Sequence, residues 1–127
     1  MSILIADDNL MMRRTIRSLV EDIDPEVIEC SDGAEAVRLY EQHRADWVLM
    51  DVAMQPEDGM SATREITRRF PGARVVVITN HDDPETRRSA IEAGAHHFFG
   101  KGDLLPIRAL IRGTDPEGET INEKHKQ

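Results

Sequence analysis

Arg44-Ala45-Asp46-Trp47-Val48-Leu49-Met50-Asp51-Val52-Ala53-Met54 is the stretch whose reading decides the fold. Trp47 to Met50 form an apolar block of strand length with no polar alternation, the pattern of a central parallel strand covered by helices on both faces. Asp51 then stands at the carboxyl end of a buried strand. Open α/β sheets place their ligand crevices at that end, where the strand order reverses.

Outward from this strand, the chain alternates short apolar runs with amphipathic stretches. Ser2-Ile3-Leu4-Ile5-Ala6 ends in Asp7-Asp8-Asn9, residues that stop a strand and cap a helix. The helix that follows puts Met12, Ile16, Leu19, Val20 and Ile23 on one stripe, with Arg13, Arg14 and Arg17 off it. Asp24-Pro25 breaks it, Val27-Ile28-Glu29-Cys30 reads as a second strand, and Ser31-Asp32-Gly33 turns into a helix burying Ala36, Val37 and Tyr40.

Beyond the central strand, Gln55 to Gly59 reads as an irregular loop. A third helix follows, burying Met60, Ile66, Thr67 and Phe70 and ended by Pro71-Gly72. Arg74 to Thr79 is the most strand-like segment, because β-branched residues nearly fill it. After Asn80-His81-Asp82, Asp83 is expected to cap a fourth helix with Pro84 in its first turn and Gly94 at its end; Ala90, Ile91 and Ala93 are its thin apolar content. Ala95 to Phe99 makes a fifth strand, Gly100-Lys101-Gly102 a turn, and Asp103 the expected cap of a last helix carrying Leu104, Ile107 and Ile111. This order predicts a doubly wound parallel five-stranded α/β sheet.

The 127 residues are expected to form one domain over 1–112 and a charged, flexible tail over 113–127, where Ile121 is the one large apolar residue. With 16 basic against 24 acidic residues the net charge is -8, which disfavours direct nucleic acid binding. No apolar run approaches membrane-spanning length and no leader pattern is present, so the chain reads as cytoplasmic. A single cysteine, Cys30, excludes an intramolecular disulfide and reads as an inert buried thiol.

If the first and third strands are neighbours, Asp7, Asp8 and Asp51 converge. Carboxylates about 4 Å apart repel by roughly 4 kcal/mol at an effective dielectric near 20, so such a cluster takes up protons or holds a cation. Oxygen-only ligands favour Mg²⁺. Thr79 and Lys101 reach the same edge, and a hydroxyl beside an ammonium suits the oxygens of a phosphorylated aspartate.

Ala6-Asp7-Asp8, Leu49-Met50-Asp51, Asp58-Gly59, Val77-Ile78-Thr79, Gly94-Ala95 and Phe99-Gly100-Lys101 together resemble a CheY-like receiver domain of bacterial two-component response regulators. The resemblance covers about residues 2 to 112 and implies a flavodoxin-like (βα)5 fold with strand order 2-1-3-4-5. It implies that Asp51 accepts a phosphoryl group from a sensor histidine kinase or phosphotransfer protein. Asp8, Asp51 and the carbonyl of Ala53 would then bind Mg²⁺, with Asp7 acting through water. Thr79 and Lys101 would hold phosphoryl oxygens, and Thr79 and Phe98 would form the switch. A downstream protein would read the face made by the fourth helix, fifth strand and fifth helix, with the chain a monomer or weak dimer.

The sequence departs from this family at three places: Gly102 replaces the usual proline after the lysine, Asn80 replaces a small residue, and Gln55-Pro56 reverses the usual order. Asn80 is accordingly expected to cover part of the phosphoryl site. Competing readings are a receiver-like docking module that is not phosphorylated, an N-terminal fragment of a larger response regulator, an aspartyl-phosphate phosphatase and a flavin binder. Ala53 stands where such a phosphatase needs a second aspartate, and two carboxylates after the first strand are the wrong chemistry for a flavin phosphate. Asp7 and Asp8 as plain helix caps is the simplest structural reading of that pair. His96 and His97, adjacent on a strand, are expected to face opposite ways and share no ion, while His81 lies near the site.

Overall fold

Trp47 to Asp51 form β3 (Trp47–Asp51), buried at every position, at the centre of a sheet that the computed structural model describes over residues 2–23, 26–54, 58–80 and 82–113. Around it, among the described residues, lie β1 (Ile3–Ala6), α1 (Leu10–Val20), β2 (Val27–Cys30), α2 (Gly33–His43), α3 (Gly59–Arg69), β4 (Val75–Thr79), α4 (Pro84–Ala93), β5 (His97–Gly100) and α5 (Leu105–Arg112). The strand order is β2-β1-β3-β4-β5 and every pair is parallel. This is the expected flavodoxin-like, doubly wound architecture.

Side chains alternate along each strand, so one strand feeds two cores. Ile3, Ile5, Trp47, Leu49, Val76, Ile78 and Phe99 face α1 and α5, where Ile16, Val20, Ile107 and Ile111 meet them. Leu4, Ala6, Val48, Met50, Val75, Val77 and Phe98 belong to the other cluster, with Ala36, Val37 and Tyr40 of α2, Ala62 and Ile66 of α3, and Ala90 of α4. Asn9, Asp32, Asp58 and Asp83 cap the first four helices through their side chains. Gly94 closes α4 at φ 95, and a Cβ there would lie 2.5 Å from Thr67 Oγ1. Only glycine fits that approach.

Several boundaries differ from the sequence reading. α1 ends at Val20, not Ile23, although Ile23 still packs against the α1 side of the core. β5 starts two residues later than expected and takes in Gly100, since Ala95 donates its N–H to the Ala90 carbonyl (3.0 Å) and so belongs to the end of α4. Asp103 does not cap α5; the helix begins after Leu104 with no side-chain cap bond. On α3 the buried positions are Gly59, Ala62, Thr63 and Ile66. Met60, Thr67 and Phe70 are half-buried, and Phe70 lies between the guanidiniums of Arg44 (4.2 Å) and Arg69 (5.0 Å). Asp24-Pro25, Gln55 to Glu57, His81 and the tail from 114 lie outside the described residues.

Candidate functional site

The register sets the site. Ala6 pairs with Met50, Asp51 with Ile78 and Thr79 with Gly100, so the residues at or just past these ends share one edge of the sheet. Asp7 is 1% exposed; its N–H donates to the Cys30 carbonyl (3.1 Å) and its Oδ1 accepts the Asn9 N–H (2.8 Å). Because Asn9 is the residue that caps α1, neither Asp7 nor Asp8 is spent as the helix cap. Asp8 is exposed.

Asp51 is 4% exposed and ends β3, where Gly59 packs so closely that a Cβ would strike the Asp51 carbonyl. The start of α3 is thereby pressed onto the end of β3. Asp51 Oδ1 also accepts the Ala53 N–H at 3.4 Å. Lys101 follows β5, its N–H held by the Thr79 carbonyl (2.8 Å). Its ammonium lies 3.2 Å from both Asp7 Oδ2 and Asp51 Oδ1. Burial and then the neighbouring Asp7 charge push the Asp51 carboxyl above the ordinary carboxylate range, with Lys101 working against them. Burial alone pulls the Lys101 ammonium down, but Asp51 and Asp7 outweigh it and hold it above the ordinary lysine range.

Carboxylate oxygens of Asp7, Asp8 and Asp51 lie within 4.8 Å of one another. Two such charges at an effective dielectric near 20 repel by roughly 3 to 4 kcal/mol, and one ammonium answers only part of three. Asp7 Oδ2 is buried and faces the Lys101 ammonium at 3.2 Å. An all-oxygen donor set of three crowded carboxylates is one that could hold a metal ion.

Thr79 is 1% exposed and Phe98 3% exposed. Both line a cavity of about 790 Å³ beside the acidic cluster, together with Asn80, Arg87, Lys101 and Asp103. The structure thus brings Asp7, Asp8, Asp51, Thr79 and Lys101 to one edge. Phe98 lies on β5 opposite Val77, two residues before Thr79 on β4, and Ala53 lies next to Asp51.

Two side chains escaped the sequence reading. Arg87 lies over the Phe98 ring, 4.8 Å from its centroid, and 3.4 Å from Asp82 Oδ1. Arg13 donates from Nη1 to the Asp7 carbonyl at 2.7 Å. The available signal was position, since Arg13 comes one turn into the helix that follows the acidic pair. Cys30 is buried and its thiol is pushed up to about 12, mainly by that burial, so it is inert at neutral pH. His97 stacks with Phe99 at 6.4 Å on the face opposite Phe98, and no histidine joins the acidic cluster among the described residues. No helix there is long and apolar enough to cross a membrane.

Comparison with known proteins agrees with this geometry. The family model of the response regulator receiver domain matches residues 3–109. The chain is 33% identical to the chemotaxis protein CheY of Halobacterium salinarum, over 78% of its own length and 82% of that protein. It is 39% identical to the transcriptional regulatory protein LiaR of Bacillus subtilis, covering 87% of this chain but 56% of LiaR. Among solved structures, the receiver domain of the histidine kinase CKI1 from Arabidopsis thaliana, complexed with Mg²⁺ and BeF₃⁻, aligns with a TM-score of 0.74 at 29% identity, covering 87% of each chain. A match across residues 3–109, on a sheet of order 2-1-3-4-5 with this acidic edge, places the protein in the response regulator receiver domain family of two-component systems.

Proposed function

We propose that residues 1–112 act as a phosphorylation-dependent switch in which Asp51 accepts a phosphoryl group from the phosphohistidine of a sensor kinase or phosphotransfer protein. The observation that carries this reading is the Lys101 ammonium, 3.2 Å from two buried carboxylates in a three-carboxylate cluster. An Asp51 oxygen attacks phosphorus; the P–O bond forms as the P–N bond breaks, and the imidazole nitrogen leaves with the bonding pair. Lys101 orients Asp51 beforehand and, with the Thr79 hydroxyl, receives phosphoryl oxygens afterwards.

Asp8, Asp51 and the Ala53 carbonyl would hold Mg²⁺, with Asp7 joining through water. When bound, the cation supplies charge stabilisation to the phosphoryl oxygens. The donor set supports Mg²⁺, as does the Mg²⁺ complex of the similar CKI1 receiver. The output is proposed to pass to a protein partner through α4, β5 and α5, where Thr79, Phe98 and Arg87 share one cavity, with the chain acting in the cytoplasm.

The test is intact mass after incubation with acetyl phosphate and Mg²⁺. Wild type should gain one phosphoryl unit, and Asp51→Asn, or wild type with chelator, should gain none. An unchanged wild-type mass, or equal gain in Asp51→Asn, overturns the reading.

A further inference from the structure

Asp7 and Asp8 reach the acidic cluster in different ways. The Asp7 carboxylate is fixed by the Asn9 N–H and faces Lys101. The Asp8 carboxylate is exposed and no hydrogen bond or ion pair holds it among the described residues, so its position depends on its own backbone. That backbone begins with the Asp7–Asp8 peptide, whose carbonyl oxygen accepts Arg13 Nη1 at 2.7 Å. The Arg13 guanidinium is itself anchored, since Nε donates to Glu29 Oε1 at 3.1 Å and Glu29 Oε2 takes Arg17 Nη1 at 2.6 Å.

We infer that Arg13, braced by Glu29 on β2, is a positioning residue for the divalent cation: it fixes the plane of the Asp7–Asp8 peptide and thereby aims the Asp8 carboxylate at the site. The inference rests on the proposed Mg²⁺ site and deepens it. Three features support it. The Arg13 side chain is 16% exposed and that of Glu29 24%, so the pair is shielded from water's competition. Burial pushes the Glu29 carboxyl up, but its two guanidinium partners outweigh this and hold it below the ordinary range, so the brace is charged at neutral pH. The peptide on the other side of Asp7 is also tied to β2, through the bond from the Asp7 N–H to the Cys30 carbonyl at 3.1 Å. Edge strand β2 thus grips the metal-side loop on both flanks of Asp7.

Charge and position predict opposite signs here. A guanidinium near a cation site repels the cation, so if Arg13 acted by charge alone, its removal would tighten Mg²⁺ binding. If Arg13 positions Asp8, its removal loosens binding. Residues that orient metal ligands from outside typically contribute about 10-fold or more in affinity, and that is the loss expected for Arg13→Gln.

The experiment is an amide NMR titration of the full chain with MgCl₂, read at the amides of Asp8, Asn9 and Ala53. Arg17→Gln is the control: it removes the same charge and one Glu29 partner without touching Asp7, and should move the affinity by less than about twofold, as solvent-exposed ion pairs do. Arg13→Lys retains a donor and should fall between wild type and Arg13→Gln. In the metal-free protein the Asp8 and Asn9 amides should shift in Arg13→Gln while β3 and β4 amides keep their positions, a readout that also shows the variant is folded. With acetyl phosphate, the Mg²⁺ concentration for half-maximal phosphorylation should rise while the rate at saturating Mg²⁺ is kept. Binding in Arg13→Gln that equals or exceeds wild type, or an equal loss in Arg17→Gln, overturns the inference and leaves the proposed function standing. Absence of Mg²⁺ binding by wild type overturns both.

Discussion

The two faces of the sheet are filled with different material. Against α1 and α5 the strands bury Ile3, Ile5, Leu49, Val76, Ile78 and Phe99, met by Ile16, Val20, Ile107 and Ile111. Against α2, α3 and α4 the cluster is rich in small and pliant side chains, with Ala6, Ala36, Ala62, Ala90, Met50 and Met54 among them. Branched aliphatics have few rotamers and fix a helix firmly, whereas methionine adapts and alanine makes few contacts. The contrast is sharpest in the helices that flank β5. α5 inserts two isoleucines, and Arg108 ties it to α1 through the Leu19 carbonyl (2.7 Å) and to Asp22 just beyond that helix (2.7 and 2.9 Å). α4 buries only Ala90 and Ala93, leaves Ile91 37% exposed, and is joined to α3 by the bond from Thr67 Oγ1 to the Ala93 carbonyl (2.6 Å). The face that carries Thr79 and Phe98 is the one whose helix is held more lightly.

The largest effect expected from this contrast is on stability. Ile107→Ala should cost about 3 kcal/mol, because a fully buried isoleucine leaves a cavity when truncated. Ile91→Ala on α4 should cost less than about 1 kcal/mol, since the side chain is already partly in water. Urea denaturation of the two variants measures both. Equal losses would mean that α4 is anchored as firmly as α5, and the contrast between the faces would fail.

How much of this was legible in the sequence depends on the physics involved. The alternation of strands and helices and the two-sided burial of Trp47 to Met50 follow from apolar runs and turn residues, which are local signals, whereas the strand order, and with it the convergence at Asp51, came from the resemblance to receiver domains. The start of α5 was misread because Asp103 has the right chemistry for a cap, yet its N–H turns back to Gly100 (3.4 Å) and the helix begins after Leu104. Thr67 was read as a buried stripe residue, but it is half-buried and bonds to α4, and its partner, the Ala93 carbonyl, is 26 residues away. Arg13 lies off the apolar stripe of its helix, and nothing in the sequence around Arg87 singles it out. Their roles rest on contacts with a carbonyl and a ring that come near only after the sheet is assembled, and no periodicity records such contacts.

The charged edge follows neither face and should respond with the opposite sign. Burial and Asp7 raise the Asp51 pKa, so over the interval from the ordinary carboxylate range up to that raised value the folded chain holds more protons than the unfolded one. The contribution of Asp51 to stability is therefore highest below this interval and falls as pH rises through it. Asp51→Asn removes the liability. In metal-free buffer at pH 7 it should stabilise the protein by on the order of 1 kcal/mol, a modest net value because Lys101 loses one partner while keeping Asp7. The gain should vanish on acidification below the ordinary carboxylate range, where the wild-type side chain is also neutral. Thermal unfolding across pH checks this, and an asparagine variant less stable than wild type at pH 7 would show that the Lys101 pair outweighs the crowding of charge.

The smallest effect expected is the most informative about α4. Arg87 reaches from α4 to the Phe98 ring (4.8 Å) and to Asp82 in the loop before the helix (3.4 Å), so one side chain links β5, the loop and the lightly packed helix. A cation over an aromatic face contributes about 0.5 to 1 kcal/mol at a partly exposed site. Arg87→Met keeps much of the aliphatic stem over the ring and removes the charge, so the expected loss is at or below that range. The change should nonetheless be unevenly placed. With Ala90 and Ala93 as its only buried residues, α4 has little else to hold it to β5, and its amides should exchange with solvent faster in the variant. α5 keeps Ile107, Ile111 and the Arg108 contacts, none of which involve Arg87, so its amides should exchange as in wild type. Native-state hydrogen exchange by NMR resolves the two helices in one experiment. Faster exchange confined to α4 would make Arg87 the tether that compensates for the alanine packing of this face, whereas equal change in both helices, or none, would place the hold on α4 in Thr67 and Gly94 instead.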